Sequence, residues 1–448
     1  MVARSSSRPS RPSARSRCPS RSKAPSLWWA SPSSCCCSSC SCAKTSSALS
    51  LEANVEDLRP TPAQAAIIAH PALAEKPAPQ PSASQQAAEA PFCRDLTRPV
   101  FVGGVQVGGG APVAVQSMTN TKTQDPQATL AQIHALAEAG CEIIRVAVPA
   151  KDALEGFGEI CAQSPLPVVA DIHFDHRLAI EAITRGASAI RINPGNIGSW
   201  DKVDAVIDAA GSASVPIRIG VNAGSLDPAI DAREDLTQPQ KLIQSAVSFV
   251  RHFEERGFTS IVLSAKTHSV PSTIKANREL ARVLPHIPLH LGVTEAGTLQ
   301  AGAIKNTSAL SVLLAEGIGD TIRVSLTADP LEEIGVAWSI LQALGLRRRS
   351  PEIVSCPTCG RCQIDLIGLA SEVEERLKGV KAPISVAVMG CVVNGPGEAK
   401  AADIGIAGGR GQGLLIAGGE VVGKVPEDRI VDALMEEIEA RFPATDQS

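Results

Sequence analysis

No run of eighteen apolar residues occurs in the 448-residue chain, so no helix is expected to span a bilayer and no membrane partner is expected. A large excess of charge is also missing. Lys and Arg total 42 against 46 Asp and Glu, a net charge of −4, which offers no general attraction to nucleic acid. Residues 1–51 nonetheless hold eight Lys or Arg and no acid, which leaves the remainder near −12. The glycine clusters Gly108-Gly109-Gly110 and Gly408-Gly409 lack both the dinucleotide fingerprint and the P-loop spacing. The thirteen cysteines lack the density of a small secreted disulfide domain. Six fall before residue 43, and in the body of the chain they gather only between Cys356 and Cys391. That distribution predicts a reduced, cytoplasmic protein with a metal site.

Residues 1–50 hold eighteen Ser and are too polar and repetitive to form a core. They read as a translation start placed too far upstream rather than as an organelle transit peptide. An Ala-, Pro- and Gln-rich linker follows to residue 90. From Pro99 the pattern changes. Eight short β-branched runs, at 113–118, 143–148, 167–172, 189–193, 217–222, 260–265, 289–294 and 321–326, alternate with helical stretches such as 126–139 and 239–256. In the latter, Leu242, Ile243, Ala246, Phe249, Val250 and Phe253 form one stripe. Eight βα units in this length predict a closed (β/α)8 TIM barrel over 91–349, ahead of a doubly wound open sheet. A small α/β domain is expected over 350–448. Its expected elements are a helix near 366–378, strands at 384–389 and 403–407, a hairpin across Gly418-Gly419 and a final helix at 427–441.

In such barrels the chemistry lies at the C-terminal ends of the strands. Those ends carry Arg145, Asp171 and His173, Arg191 and Asn193, Arg218 and Asn222, Lys266, Glu295, and Arg323 with Ser325. Four arginines inside apolar strands are costly unless paired. The strand acids, mainly Asp171 and Glu295, are too few to neutralise them together with Lys266. The surplus predicts an anionic ligand, and phosphate suits the forked guanidinium.

The sharpest local pattern is Cys356-Pro357-Thr358-Cys359-Gly360-Arg361-Cys362, followed by Gly390-Cys391 and, across a Gly-Pro-Gly turn, Glu398. Zinc would want a second ligand pair, which is missing. A [4Fe–4S] cluster could take all four cysteines, or Cys356, Cys359 and Cys391 with an oxygen ligand or an open fourth iron. Residue types alone leave that choice open. Four thiolates suit electron transfer, whereas a replaceable carboxylate such as Glu398 leaves one iron free to act on substrate.

Taken together, Val115–Thr121 (VQSMTNT), Ala170–Asp175 (ADIHFD), Arg191–Gly198 (RINPGNIG), Arg218–Ser225 (RIGVNAGS), Thr294–Gly297 (TEAG), Glu316–Thr321 (EGIGDT), Cys356–Cys359 (CPTC) and Gly390–Glu398 (GCVVNGPGE) resemble the 4-hydroxy-3-methylbut-2-enyl diphosphate synthase family. The resemblance covers about 97–442 and is to the two-domain bacterial form. It implies reductive ring opening and dehydration of 2-C-methyl-D-erythritol 2,4-cyclodiphosphate. Reduced flavodoxin or ferredoxin is the implied donor. A [4Fe–4S] cluster would sit on Cys356, Cys359, Cys391 and Glu398, with Cys362 a non-ligand. Arg145, His173, Arg191, Arg218, Lys266 and Arg323 would hold the diphosphate, with Asn222 and Ser325 nearby. Glu295 would be the acid–base residue, and Asn394 would lie beside the cluster. The family is a homodimer in which one subunit's cluster domain closes over the other's barrel. A pterin-binding barrel transferase and a zinc-stabilised binding module are the rival readings. Residues 1–90 have no counterpart in the family pattern.

Overall fold

The computed structural model describes residues 92–443, apart from 223–225 and 227. The leader and linker read at 1–90 lie outside the described residues. The first strands, β1 (Val100–Val102) and β2 (Val105–Val107), form an antiparallel hairpin turned at Gly103, whose φ of 57° is left-handed. Periodicity does not reveal this hairpin, because three-residue arms are too short to show alternation.

Eight parallel strands follow: β3 (Ala114–Met118), β4 (Ile143–Ala147), β5 (Val168–Asp171), β6 (Ala189–Ile192), β7 (Ile217–Asn222), β8 (Ile261–Lys266), β9 (His290–Leu291) and β10 (Thr321–Ile322). Their order is β8-β7-β6-β5-β4-β3-β10-β9, and a Leu263–Leu289 bridge closes the ring between β8 and β9. This is the expected barrel. The helices between the strands start and stop on local chemistry. Pro126–Ala139 opens on Asp125, whose side chain accepts from the Ala128 amide, and ends at Gly140 with φ 106°. Gln238–Glu255 opens on a Thr237/Gln240 capping box and buries Leu242, Ala246, Phe249, Val250 and Phe253.

β9 and β10 are two residues each, shorter than the runs expected at 289–294 and 321–326. Polar side chains take over the backbone beyond them. The Val293 amide donates to Asn306 Oδ1 at 3.3 Å, and the Leu326 amide to Glu333 Oε1 at 3.1 Å. Alternate strand residues such as Ile144, Ile190, Ile219, Leu263 and Leu291 pack outward against the helices. Their inward neighbours near the strand starts, Ala114, Ile143, Val169, Ala189 and Val262, pack on Val100, Val102 and Val107. The hairpin therefore stoppers the N-terminal end of the barrel. No helix among the described residues is long and apolar enough to cross a membrane.

The chain leaves this barrel under restraint. Arg347 donates to both oxygens of Glu142, at 2.7 and 2.8 Å, and to the Val113 carbonyl at 2.9 Å. Its guanidinium lies 4.6 Å from the Trp338 ring centre, and that of Arg349 lies 5.8 Å from it.

A five-stranded sheet follows, ordered β11 (Glu352–Ser355), β12 (Ser385–Met389), β13 (Ile404–Gly409), β14 (Gln412–Ala417) and β15 (Glu420–Pro426). The first three strands are parallel and the last two pair antiparallel. Helices Leu366–Leu377 and Ile430–Arg441 contribute to its core. β11 lies outside the elements expected from periodicity. At Gly395–Ala399 a short helix replaces the expected Gly-Pro-Gly turn. Pro396 fixes a helical φ in its first turn. The Glu398 amide then reaches the Asn394 carbonyl at 3.1 Å, closing the first turn.

Candidate active site

Strand register sets the barrel's polar layer. Asp171 pairs with Arg191 across β5 and β6, Arg191 with Arg218 across β6 and β7, and Asn222 with Lys266 across β7 and β8. Two glycines make room for the long side chains. A Cβ on Gly220 would stand 2.4 Å from Arg191 Nε, and one on Gly292 would stand 2.7 Å from Lys266 Nζ.

The cations are not equivalent. Asp171 binds Arg191 at 3.0 Å and lies 3.7 Å from Arg145 and 3.4 Å from His173. Burial alone would raise the Asp171 carboxyl. Arg145, the His173 hydrogen bond and Arg191 overcome that and hold it far below the usual carboxylate range. Arg323 is engaged through Nε and one Nη by Glu333, at 3.3 and 3.2 Å. Glu333 projects from helix Pro330–Ala343, is 3% exposed, and also accepts from Ser117 Oγ at 3.0 Å. The expectation that Asp171 and Glu295 are the main available acids therefore needs correction, since Glu333 is a further one and holds Arg323 internally.

Arg218 and Lys266 stand apart. Arg218 donates to Gln116 Oε1, and its buried Nε has no partner. Among the described residues, no carboxylate lies within ion-pair distance of either. Burial first, then the neighbouring arginines, push Lys266 and Arg218 well below their ordinary values. Burial takes Arg145 down to about 10. A pocket holding such charge favours an anion strongly, because binding one removes the mutual repulsion.

Other expected residues stand around this layer. His173 is half exposed beside Asp171. Asn222 Oδ1 accepts from Arg191 at 3.3 Å in the orientation that satisfies its amide. The Ser325 carbonyl accepts from Asn306 at 3.3 Å. Glu295 is exposed in the loop after β9 with φ 53°, a strained backbone for a residue other than glycine. That loop is pinned beside the one after β10, where the Thr327 amide donates to the Gly297 carbonyl at 2.9 Å. Gln116, Glu333 and His290 belong to the layer but escaped sequence reasoning. Gln116 sits on alternation within β3, while Glu333 resembles any acid in a helix's first turn.

Asn394 and Glu398 belong to a second group, with the cysteines of the C-terminal sheet. Cys356 follows β11 and Cys391 follows β12, the neighbouring parallel strand. The Gly390 amide donates to Cys356 Sγ at 3.4 Å, tying the two loops together. Backbone amides of Asn394, Val393 and Gly395 hold the Cys391 thiol below its ordinary value, and Arg361 does the same for Cys359. Three thiols brought together on adjoining loops are a donor set that fits an iron–sulfur cluster. Cys362 differs in that its thiol donates to the Ile364 carbonyl at 3.3 Å. Among the described residues, no three His, Cys, Asp or Glu side chains close around a single-ion site. Asn394 and Glu398 are exposed, on the loop and the short helix Gly395–Ala399 that follow Cys391. Burial pushes Cys141 and Cys161, in the barrel, up to about 12.

Comparison with known proteins covers both sheets. The family model of the GcpE TIM-barrel domain matches residues 97–338, and that of the GcpE protein C-terminal domain matches 352–440. A 4-hydroxy-3-methylbut-2-en-1-yl diphosphate synthase (flavodoxin) of Geobacter sulfurreducens is 55% identical over 343 residues, 77% of this chain and 97% of that protein. One of Maridesulfovibrio salexigens is 56% identical over 347 residues, again 77% and 97%. Among solved structures, a Xanthomonas albilineans dihydropteroate synthase aligns at 16% identity and a TM-score of 0.40, over 55% of this chain and 98% of that one.

Proposed function

The chain belongs to the GcpE family, and from that membership we propose how its residues carry a reductive ring opening. The protein is an iron–sulfur oxidoreductase that forms 4-hydroxy-3-methylbut-2-enyl diphosphate in the non-mevalonate isoprenoid pathway. Its substrate is 2-C-methyl-D-erythritol 2,4-cyclodiphosphate. Two electrons enter, the ring's carbon–oxygen bond to phosphate breaks, and a hydroxyl takes up a proton and leaves as water.

Arg218 and Lys266 hold the diphosphate, with Arg145 and Arg191 beside them. Their side chains stand in place before substrate arrives, so little reorganisation is needed on binding. Arg323, already braced by Glu333, offers its remaining donor capacity, and His173, Asn222 and Ser325 line the rim. Glu295 supplies the proton for the departing hydroxyl. Its strained backbone keeps the carboxyl at a fixed place on a pinned loop.

Cys356, Cys359 and Cys391, with Glu398 at the fourth position, would hold a [4Fe–4S] cluster, and Asn394 would lie beside it. When bound, that group supplies electrons and a Lewis-acidic iron. Reduced flavodoxin is the proposed donor, because the relatives carry that word in their names, and ferredoxin is the alternative.

The protein works in the cytoplasm as a homodimer in which one subunit's cluster domain closes over its partner's barrel. Free thiols throughout the described chain support the compartment. The Arg347 clamp supports the closure: it holds the departing chain by Val113 and Glu142, at the end of the barrel away from the mouth. Exposed apolar side chains border both halves of the site, Phe174 beside His173 and Val392-Val393 beside Cys391.

The observation that carries this reading is the buried pair Arg218 and Lys266, which lack a carboxylate. Anaerobic iron and sulfide analysis, with turnover of the cyclodiphosphate, tests it on wild type and Glu398→Ala. About four irons per chain are expected in both, with most turnover lost in the variant. A colourless zinc protein, or a variant of normal activity, overturns it.

A further inference from the structure

His290 lies on β9 with its ring inside the barrel. Its neighbours Leu289 and Leu291 pack outward in the core, so strand alternation turns the imidazole inward. The residue is 1% exposed, and neither Nδ1 nor Nε2 has a hydrogen-bond partner. A buried ring with both nitrogens orphaned is uncommon and asks what completes it.

The charges bearing on it are Lys266 from β8, Arg218 from β7, Arg145 from β4 and Arg323 from β10. The nearby carboxylates are committed elsewhere: Asp171 to Arg145, Arg191 and His173, and Glu333 to Arg323. Two residues on, just past β9, Gly292 faces the same side, and a Cβ there would stand 2.7 Å from Lys266 Nζ. His290 and Gly292 thus bring an imidazole and a bare backbone position to the surroundings of one ammonium group. Burial among cations keeps the ring neutral, since its ionised form lies well out of reach at neutral pH. A neutral imidazole offers one lone pair and one N–H. The lone pair can hold an ammonium without cancelling its charge, which a carboxylate in the same place would do.

We infer that His290 is a positioning residue of the anion pocket, whose ring lone pair, unpartnered in this structure, accepts a hydrogen bond from Lys266 as that ammonium turns to a bound phosphate group. The inference rests on the barrel interior being the diphosphate pocket. It assigns no proton transfer to the ring.

Steady-state kinetics of the full-length, cluster-loaded enzyme with the cyclodiphosphate test it in His290→Phe, His290→Asn, His290→Gln and Lys266→Met. Loss of a hydrogen bond to a charged group predicts a KM about tenfold higher or more in His290→Phe, with kcat changed less than about threefold. The variant among Asn and Gln that puts an acceptor where the ring nitrogen stood restores KM. An unchanged KM in His290→Phe overturns the inference, as does a fall in kcat alone. If His290→Phe fails to fold, Asn and Gln decide: a wild-type KM in one of them supports the inference, and equal impairment in both overturns it. Lys266→Met separates the two levels. A raised KM there with an unchanged KM in His290→Phe removes only the role of His290, whereas unchanged KM values in both remove the pocket.

Discussion

Asp320 is 1% exposed just before β10, where its carboxylate accepts from the Leu289 amide at 2.8 Å and from Thr97 Oγ1 at 2.9 Å. Burial raises it to about 6, against the pull of those hydrogen bonds and of Arg94. A raised acid binds its proton more tightly in the folded state than in the unfolded one. Its contribution to stability therefore falls as pH rises from about 4 through 6. In urea unfolding, wild type should gain about 1 kcal/mol on Asp320→Asn between pH 7 and pH 5, and a constant gap would refute the assignment. Single residues also show what can be read in advance. Arg145, Arg191 and Arg218 betray themselves by standing in apolar strands. Glu333 and His290 do not, because an acid in a helix's first turn and a histidine between leucines each have ordinary explanations. Only the closing of the barrel brings them to the same interior.

Helix Pro330–Ala343 does more than cover β3 and β10. It carries Glu333 through the barrel wall to bind Arg323, Ser117 and the Leu326 amide at once. Removing the charge with Glu333→Gln leaves a buried guanidinium unpaired, and a loss of about 3 kcal/mol is expected in denaturant unfolding. A loss below about 1 kcal/mol would show that Arg323 finds solvent or another partner. This helix and the preceding one, Leu299–Ala315, explain why β9 and β10 are shorter than their apolar runs. Hydrophobic runs extend beyond β9 and β10, but Asn306 and Glu333 claim the backbone there and end the ladders early. Long amphipathic stretches such as Gln238–Glu255 were legible because their pattern spans several turns. β11 and the hairpin before the barrel were not, because their arms are too brief to carry a period.

The two halves of the proposed site come from different sheets, and closure across a dimer makes a sharp forecast. Arg218→Ala and Glu398→Ala should each be inactive alone. When they are mixed and allowed to exchange subunits, about a quarter of the sites regain an intact barrel facing an intact cluster, given random C2 pairing. Recovery of turnover near that fraction supports sharing, and its absence despite verified exchange places each site within one chain. The barrel and the presence of a cysteine centre were legible across the whole sequence. The sharing of cations among partners was not, because it depends on register.

The hairpin at the foot of the barrel has a consequence for traffic. With the N-terminal end plugged by Val100, Val102 and Val107, precursor and product are left to exchange at the C-terminal ends of the strands. Under the proposed closure across a dimer, each turnover needs the cluster domain to part from its partner's barrel, and that opening competes with chemistry in setting kcat.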